Sequence, residues 1–279
     1  MHLVLAFSQS NNLKKQGIVD LLHLIKLHLP PNINYPTSTY KLESTLNVKT
    51  DKMKNYFYCD TCENVLSDDF VCSVCSTVYS DKSLREQGKF FILYDLPSHF
   101  ELLLGNEKVK LDLERNLKKR KDLSRLEVEN IYGEKYVNFP FEEFDISCTF
   151  NTDGIPVFRS SKYSLWPIMF CIDELSYKVR KNNVVLAGLW FGSQKINVHM
   201  VFSCLVPKMN ELGVHPVKWT TRSNMNVCSK VYFHKCSADA PARCLLQGVT
   251  QYNGFCGCKF CVEKGKVVQK GKGHCRIYE

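Results

Sequence analysis

The alternation of apolar and polar positions is clearest between residues 144 and 151. Phe144, Ile146, Cys148 and Phe150 alternate with Asp145, Ser147, Thr149 and Asn151. This is the period of two expected of a strand with one buried face. The run stops at Thr152-Asp153-Gly154-Ile155-Pro156, a turn signal, so Asp153 sits where a strand ends. Two more apolar runs follow, at 165–172 and 184–191. A helical pattern comes next (Val198, Phe202, Leu205, Met209, Leu212), closed by Gly213. A fourth strand over 231–236 leads into Ala238-Asp239-Ala240-Pro241, where the chain turns into an apolar helix marked by Ala242, Leu245, Leu246 and Val249. Far upstream, Ile18, Leu21, Leu22, Ile25 and Leu29 share one helical face, and Pro30-Pro31 ends it. That pattern predicts a packing helix, followed by a linker rich in Pro, Asn, Ser and Thr.

Strand, strand, strand, helix, strand, helix, with a carboxylate after the first and fourth strands, is the order of a ribonuclease-H-like core. The predicted fold class is therefore mixed α/β. The predicted organisation is an N-terminal helix and linker (1–50), a zinc ribbon (51–88), a basic helical region (89–140), the core (141–251) and a cysteine–histidine zinc element (252–279).

Composition sharpens this picture at the cysteines. There are 14 of them in 279 residues. Residues 3–7 are too short for the apolar part of a leader, and no apolar run approaches the length of a membrane helix. The expectation is an intracellular protein, in which paired cysteines bind zinc more often than they form disulfides. Cys59-Asp60-Thr61-Cys62 and Cys72-Ser73-Val74-Cys75 are two C-x-x-C knuckles with nine residues between them. Each knuckle presents two sulfurs on one side of a tight turn, so together they predict four thiolates around one tetrahedral zinc. Unrelated core cysteines rarely fall into this paired spacing, and nothing thioredoxin-like surrounds either pair.

The formal charge of +9 leans toward a polyanionic partner. The most basic stretch holds Lys108, Lys110, Arg115, Lys118, Lys119, Arg120, Lys121 and Arg125, interspersed with Leu111, Leu113, Leu117, Leu123 and Leu126. Two readings stay open for this helical element. It contacts phosphates, with 118–121 doubling as a nuclear-import patch, or it is a solvated face balanced by Asp112, Glu114, Asp122 and Glu127. Trp166, Trp190 and Trp219 read as core or rim aromatics, because no cations interleave with them as a single-strand platform requires.

Four blocks carry a family resemblance. They are Asn151-Thr152-Asp153-Gly154-Ile155-Pro156-Val157-Phe158-Arg159-Ser160-Ser161-Lys162, Ser164-Leu165-Trp166-Pro167-Ile168, Leu186-Ala187-Gly188-Leu189-Trp190-Phe191-Gly192 and Asp239-Ala240-Pro241-Ala242-Arg243. In this order and spacing they resemble the catalytic core of CACTA (En/Spm)-type transposases, and most closely the animal members. The resemblance implies metal-dependent DNA strand cleavage and transfer, with transposon ends as the partner, the nucleus as the location, no membrane, and self-association left open. It implies Asp153 and Asp239 as catalytic ligands of Mg²⁺ or Mn²⁺. In such chemistry two hard cations about 3.5–4 Å apart sit on carboxylate oxygens and activate the attacking and leaving groups. Without the resemblance, Asp153-Gly154 reads as a turn and Asp239-Ala240-Pro241 as a helix cap.

The segment 252–261 with 271–275 resembles the family's small cysteine–histidine element. Family position implies Cys258, Cys261 and His274 as zinc ligands, and the fourth stays open among Cys256, Cys275 and a residue beyond. The alternative is a Gly-rich loop with incidental cysteines. Glu174 matches a family glutamate, and two roles remain for it: a third metal ligand, or a structural or DNA-facing residue. The family completes its site with a glutamate on a helix well downstream, whereas this chain stops at Glu279. The expectation is thus a C-terminally truncated core. Its alternative is a non-catalytic, zinc-stabilised DNA-binding or interaction protein derived from a transposase.

Overall fold

The computed structural model describes residues 4, 7–8, 11, 13–30, 33, 35–45, 52–132, 137–156, 163–193, 195–258 and 263–278. These form two compact units, 1–52 and 53–279. In the first, helices α1 (Lys15–Leu27) and α2 (Thr39–Thr45) close over Leu22 and Leu42. Ile18, Leu21 and Ile25 pack against this small cluster, as the helical period predicts.

The second unit is mixed α/β and is built on one sheet. Its strands are β1 (Met53–Cys59), β2 (Asn64–Val65), β3 (Phe90–Tyr94), β4 (Ile146–Thr152), β5 (Ile155–Pro156), β6 (Ser164–Ile172), β7 (Val185–Gly192) and, after the hairpin β8 (Val217–Thr220) and β9 (Asn226–Ser229), β10 (Val231–Ser237). The order across the sheet is β10-β4-β6-β7-β3-β1-β2, with β5 beside β6. β10 and β4 run parallel, and every other neighbour is antiparallel.

The alternation read from the sequence marks the face that meets the core, but β4 is not buried on one side alone, since Ser147 on the other face is buried as well. Ile146 and Cys148 of β4, Ile168, Phe170 and Ile172 of β6, and Val231 of β10 are all buried in one core. Onto this face pack α3 (Leu96–Leu104), α4 (Glu107–Arg120) and α5 (Val198–Val214), with Phe100 stacked on Phe170 at 5.1 Å between ring centroids. Helix α5 begins where Asn197 accepts a hydrogen bond from the Met200 N–H at 2.9 Å, an N-cap. It buries Met200, Val201, Leu205, Met209 and Leu212.

The three modules expected over 51–88, 89–140 and 141–251 are continuous in space. β1 pairs with β3, and β3 pairs with β7, so the cysteine-bearing hairpin prolongs the sheet that carries β4 and β10. A short helix, α6 (Ala240–Gln247), follows β10, and the hairpin β11 (Lys266–Lys270) with β12 (Gly273–Ile277) ends the chain. None of the described cysteines forms a disulfide. No described helix is long and apolar enough to cross a membrane.

Candidate metal centre and carboxylate cleft

Cys59 ends β1 and Cys62 sits on the turn into β2, and Cys72 and Cys75 flank the turn that follows. In each knuckle the residue after the second cysteine takes the left-handed conformation, Glu63 at φ 50° and Ser76 at φ 57°. That reversal lets the two thiols of a knuckle face the same point. All four sulfurs lie within 4.8 Å of one another, and Cys59 Sγ and Cys75 Sγ are 3.7 Å apart. A tetrahedron with Zn–S bonds of about 2.3 Å has edges of about 3.8 Å, so the four thiols can hold a metal ion such as zinc.

The environment favours the thiolate at two of the four sulfurs. The Tyr79 hydroxyl lies 3.1 Å from Cys59 Sγ, and the Thr77 hydroxyl lies 3.1 Å from Cys75 Sγ. The Tyr79 contact and backbone N–H groups of Cys62 and Thr61 lower the Cys59 thiol, against the effect of burial. The Thr77 contacts bring Cys75 down to about 6. Cys62, hydrogen-bonded to Cys75 and partly desolvated, is raised to about 12. A divalent cation would ionise all four thiols, since the thiolate is the ligand.

Asp153 and Asp239 come together through the parallel pair. Asn151 is in register with Ser237, and its side-chain amide donates to the Ser237 carbonyl. Two residues further on, each strand has delivered its aspartate. Adjacent strands are about 4.8 Å apart, and both aspartates line one cleft of about 480 Å³ with Gly154, Trp166, Lys195 and Gln251. Asp153 Oδ1 accepts from the Gly154 N–H, and Asp239 Oδ1 accepts from the Ala242 N–H, each at 2.7 Å. Asp239 is therefore an N-cap as well as a cleft residue, and Asp153 closes a turn. The features that explain both residues locally do not compete with the cleft, because each carboxylate keeps a second oxygen. Gly154 is required by contact: a Cβ there would meet the Trp166 ring at 2.6 Å.

Glu174 lies at the other end of the sheet. Its carboxylate accepts from the Ser147 N–H (3.1 Å) and hydroxyl (2.8 Å) and pairs with Arg120 at 3.2 Å. Asp153 lies six positions along from Ser147, about 20 Å in extended chain, so Glu174 cannot share a metal with the two aspartates. It is a buried structural acid, which settles the choice left open by the sequence. Burial pushes its carboxyl up to about 7 against the opposing pull of Arg120.

Arg120 likewise leaves the basic patch. Its guanidinium donates to the carbonyls of Asp145 and Glu142 at 2.6 Å each and lies 4.8 Å from the Phe141 ring centroid. Lys121 pairs with Glu143, and Lys110 with Glu107. Lys118 and Lys119 remain exposed. The helix thus mixes a solvated, charge-balanced face with one buried structural arginine.

In the C-terminal element, Cys261 lies outside the described residues. The side chains of Arg276 on β12 and of Tyr278 beyond it reach back to Gly265 and Gly257: Arg276 donates to the Gly265 carbonyl (2.7 Å), and the Gly257 N–H donates to the Tyr278 hydroxyl (3.0 Å). By the period of two, His274 shares that face and Cys275 takes the opposite one. Among the described residues, only Cys59, Cys62, Cys72 and Cys75 form a cluster tight enough for a metal.

Sequence reasoning missed one residue of the cleft edge and one of the neighbouring cavity. Lys195 lines the cleft, and it also lines a second cavity with Tyr58, Asp60, Glu63 and Lys89 of the cysteine hairpin. Asn197 donates to Glu63 at 2.6 Å, tying the loop that carries Lys195 to the first knuckle. Neither residue stands in a motif; only the sheet order brings them to the site.

A family model described as a protein of unknown function (DUF1258) matches residues 42–278. No curated protein matches the chain. The chain belongs to the DUF1258 family.

Proposed function

We propose that this DUF1258 chain is a transposase-like protein with a ribonuclease-H-like core, built for metal-dependent cleavage and transfer of DNA strands. The observation that carries this reading is the pair Asp153 and Asp239, which end neighbouring parallel strands and line one cleft. Three antiparallel strands, a helix and a fourth strand parallel to the first, in the spatial order fourth-first-second-third, support the fold assignment. Carboxylate oxygens at a sheet edge suit Mg²⁺ or Mn²⁺, which would neutralise charge on the scissile phosphate and lower the pKa of the attacking hydroxyl. Lys195 would hold a neighbouring phosphate. The cysteine cluster would take zinc and brace the far end of the same edge. DNA ends are the expected partner and the nucleus the place of action.

One observation favours the second reading, a non-catalytic zinc-stabilised DNA-binding protein derived from a transposase. No third acid lines the cleft among the described residues, and Glu174 is committed elsewhere. Two carboxylates hold a divalent ion weakly and position a second one poorly. Each 1.4 kcal/mol of lost transition-state stabilisation costs about tenfold in rate.

Mn²⁺ binding to the full chain, followed by electron paramagnetic resonance, tests the first reading, beside strand transfer on labelled DNA. Binding that is lost in Asp153→Asn and in Asp239→Asn supports the shared site. A wild-type chain that takes up no Mn²⁺ rejects it. Binding without strand transfer selects the second reading.

A further inference from the structure

Sheet order brings the cysteine hairpin to the edge that carries the two aspartates. Thr152 pairs with Ile168, Ser164 with Gly192, Phe91 with Trp190, and Phe57 with Phe90. The ends of β4 and β7, the starts of β6 and β3, and the end of β1 at Cys59 therefore lie along one rim. Between the cleft and the hairpin, that rim carries an aromatic pair. Tyr163 precedes β6 and Phe191 lies near the end of β7, with ring centroids 5.2 Å apart and planes inclined by 14°. Trp166, Trp190 and Trp219 are buried, whereas Tyr163 is 46% and Phe191 38% exposed. Both line the cavity that adjoins the hairpin, and Lys195 joins that cavity to the cleft.

Charge along this rim is uneven. Asp60 is paired with Lys89 at 2.5 Å, and Glu63 is engaged by Asn197. Lys195 is exposed and forms no ion pair among the described residues. An exposed aromatic pair beside a lysine offers two contacts at once, ring surface for a base and a cation for its phosphate. Base stacking of this kind is tolerant of sequence and needs a base that is out of the duplex.

We propose that Tyr163 and Phe191 form a stacking platform that holds an unpaired nucleotide beside the Asp153–Asp239 cleft, with Lys195 on its phosphate. This rests on the reading of the cleft as a strand-cleaving site, and adds a preference for frayed or single-stranded ends. The strand leaves the cleft past Lys195 and runs toward the cysteine hairpin. Asp60 is neutralised by Lys89, whereas Glu63 keeps its charge and sets the limit of the strand's path on that side.

The test uses the full zinc-loaded chain carrying Asp153→Asn and Asp239→Asn, which removes cleavage and carboxylate repulsion while Asn keeps the helix cap. Fluorescence anisotropy compares a labelled oligothymidylate of about ten nucleotides with a duplex of equal length. The single strand is expected to bind more tightly. Tyr163→Ala and Phe191→Ala should each weaken it about tenfold, and Tyr163→Phe should restore it. Lys195→Gln should reduce the salt slope by about one unit. Equal binding of both DNAs, an alanine effect under twofold, or no binding of the single strand overturns the platform. Zinc content and circular dichroism confirm that the variants are folded. Mn²⁺ uptake by the chain with native aspartates is read separately. If it fails while the platform variants still lose the single strand, the platform stands and the strand-cleaving reading falls.

Discussion

The cysteine cluster and the carboxylate cleft share one rim of the sheet, yet they are assembled in opposite ways. The four thiols come from 17 consecutive residues, 59–75, and each knuckle is shaped by its own left-handed turn. The two aspartates are 86 positions apart and meet only because β10 lies parallel to β4. The thiol site is closed, with four donors and hydroxyls from Tyr79 and Thr77 against the sulfurs. The cleft is open, with two carboxylates and a lysine. A closed site contributes folding energy through its metal, whereas an open one leaves positions for substrate and contributes little. Stability should therefore follow the first site, and chemistry the second.

The largest expected effect breaks the closed site. Chelation, or Cys59→Ser with Cys72→Ser, should remove one zinc by native mass spectrometry and expose the amides of 53–88 to hydrogen exchange. The hairpin's own core is just Phe57, Cys59, Leu66, Cys72 and Leu84 with a few neighbours, so the metal should supply most of its folding energy. An unchanged mass after chelation sinks the metal site. Asp153→Asn should leave the thermal midpoint unmoved under the same conditions.

Next in size is the buried pair at the far end of the sheet. Arg120→Ala strands Glu174 and three backbone carbonyls that the guanidinium serves, and should cost about 3–5 kcal/mol in urea unfolding. The Glu174 carboxyl is raised in the folded state to about 7 by burial. The folded chain thus binds an extra proton between the ordinary glutamate range and that value. This contribution is present at low pH and declines as pH rises toward 7. Glu174→Gln should abolish that slope; an unchanged slope assigns it to other groups.

A smaller effect separates the cap from the cleft. Asp239→Ala should cost about 1 kcal/mol, because the Ala242 N–H loses its acceptor, while Asp239→Asn should cost almost nothing. Both should abolish Mn²⁺ uptake. Equal stability of the two variants shows that the cap bond contributes nothing.

Smallest of all is relief of the second knuckle. Ser76 adopts φ 57° without being glycine, so Ser76→Gly should raise stability by about 0.5–1 kcal/mol after its own entropy cost. A destabilised variant shows that the Ser76 side chain serves the cluster.

Much of this architecture was legible where the determinants are local. The period of two over 144–151 marks β4 and its buried face, the knuckle spacing marks the four thiols, and Asp239-Ala240-Pro241 marks a helix start. Each is a consequence of covalent geometry within a few residues, so one chain suffices to read it. Tertiary structure decided the rest. It made β1 and β3 a continuation of the core sheet. It turned Arg120 inward, out of a run that reads as surface charge, and sent Glu174 to the end of the sheet away from Asp153. It exposed Tyr163 and Phe191 while burying the more conspicuous tryptophans. Strand order and strand direction determine which distant residues share an edge, and neither is encoded in the spacing of any single segment.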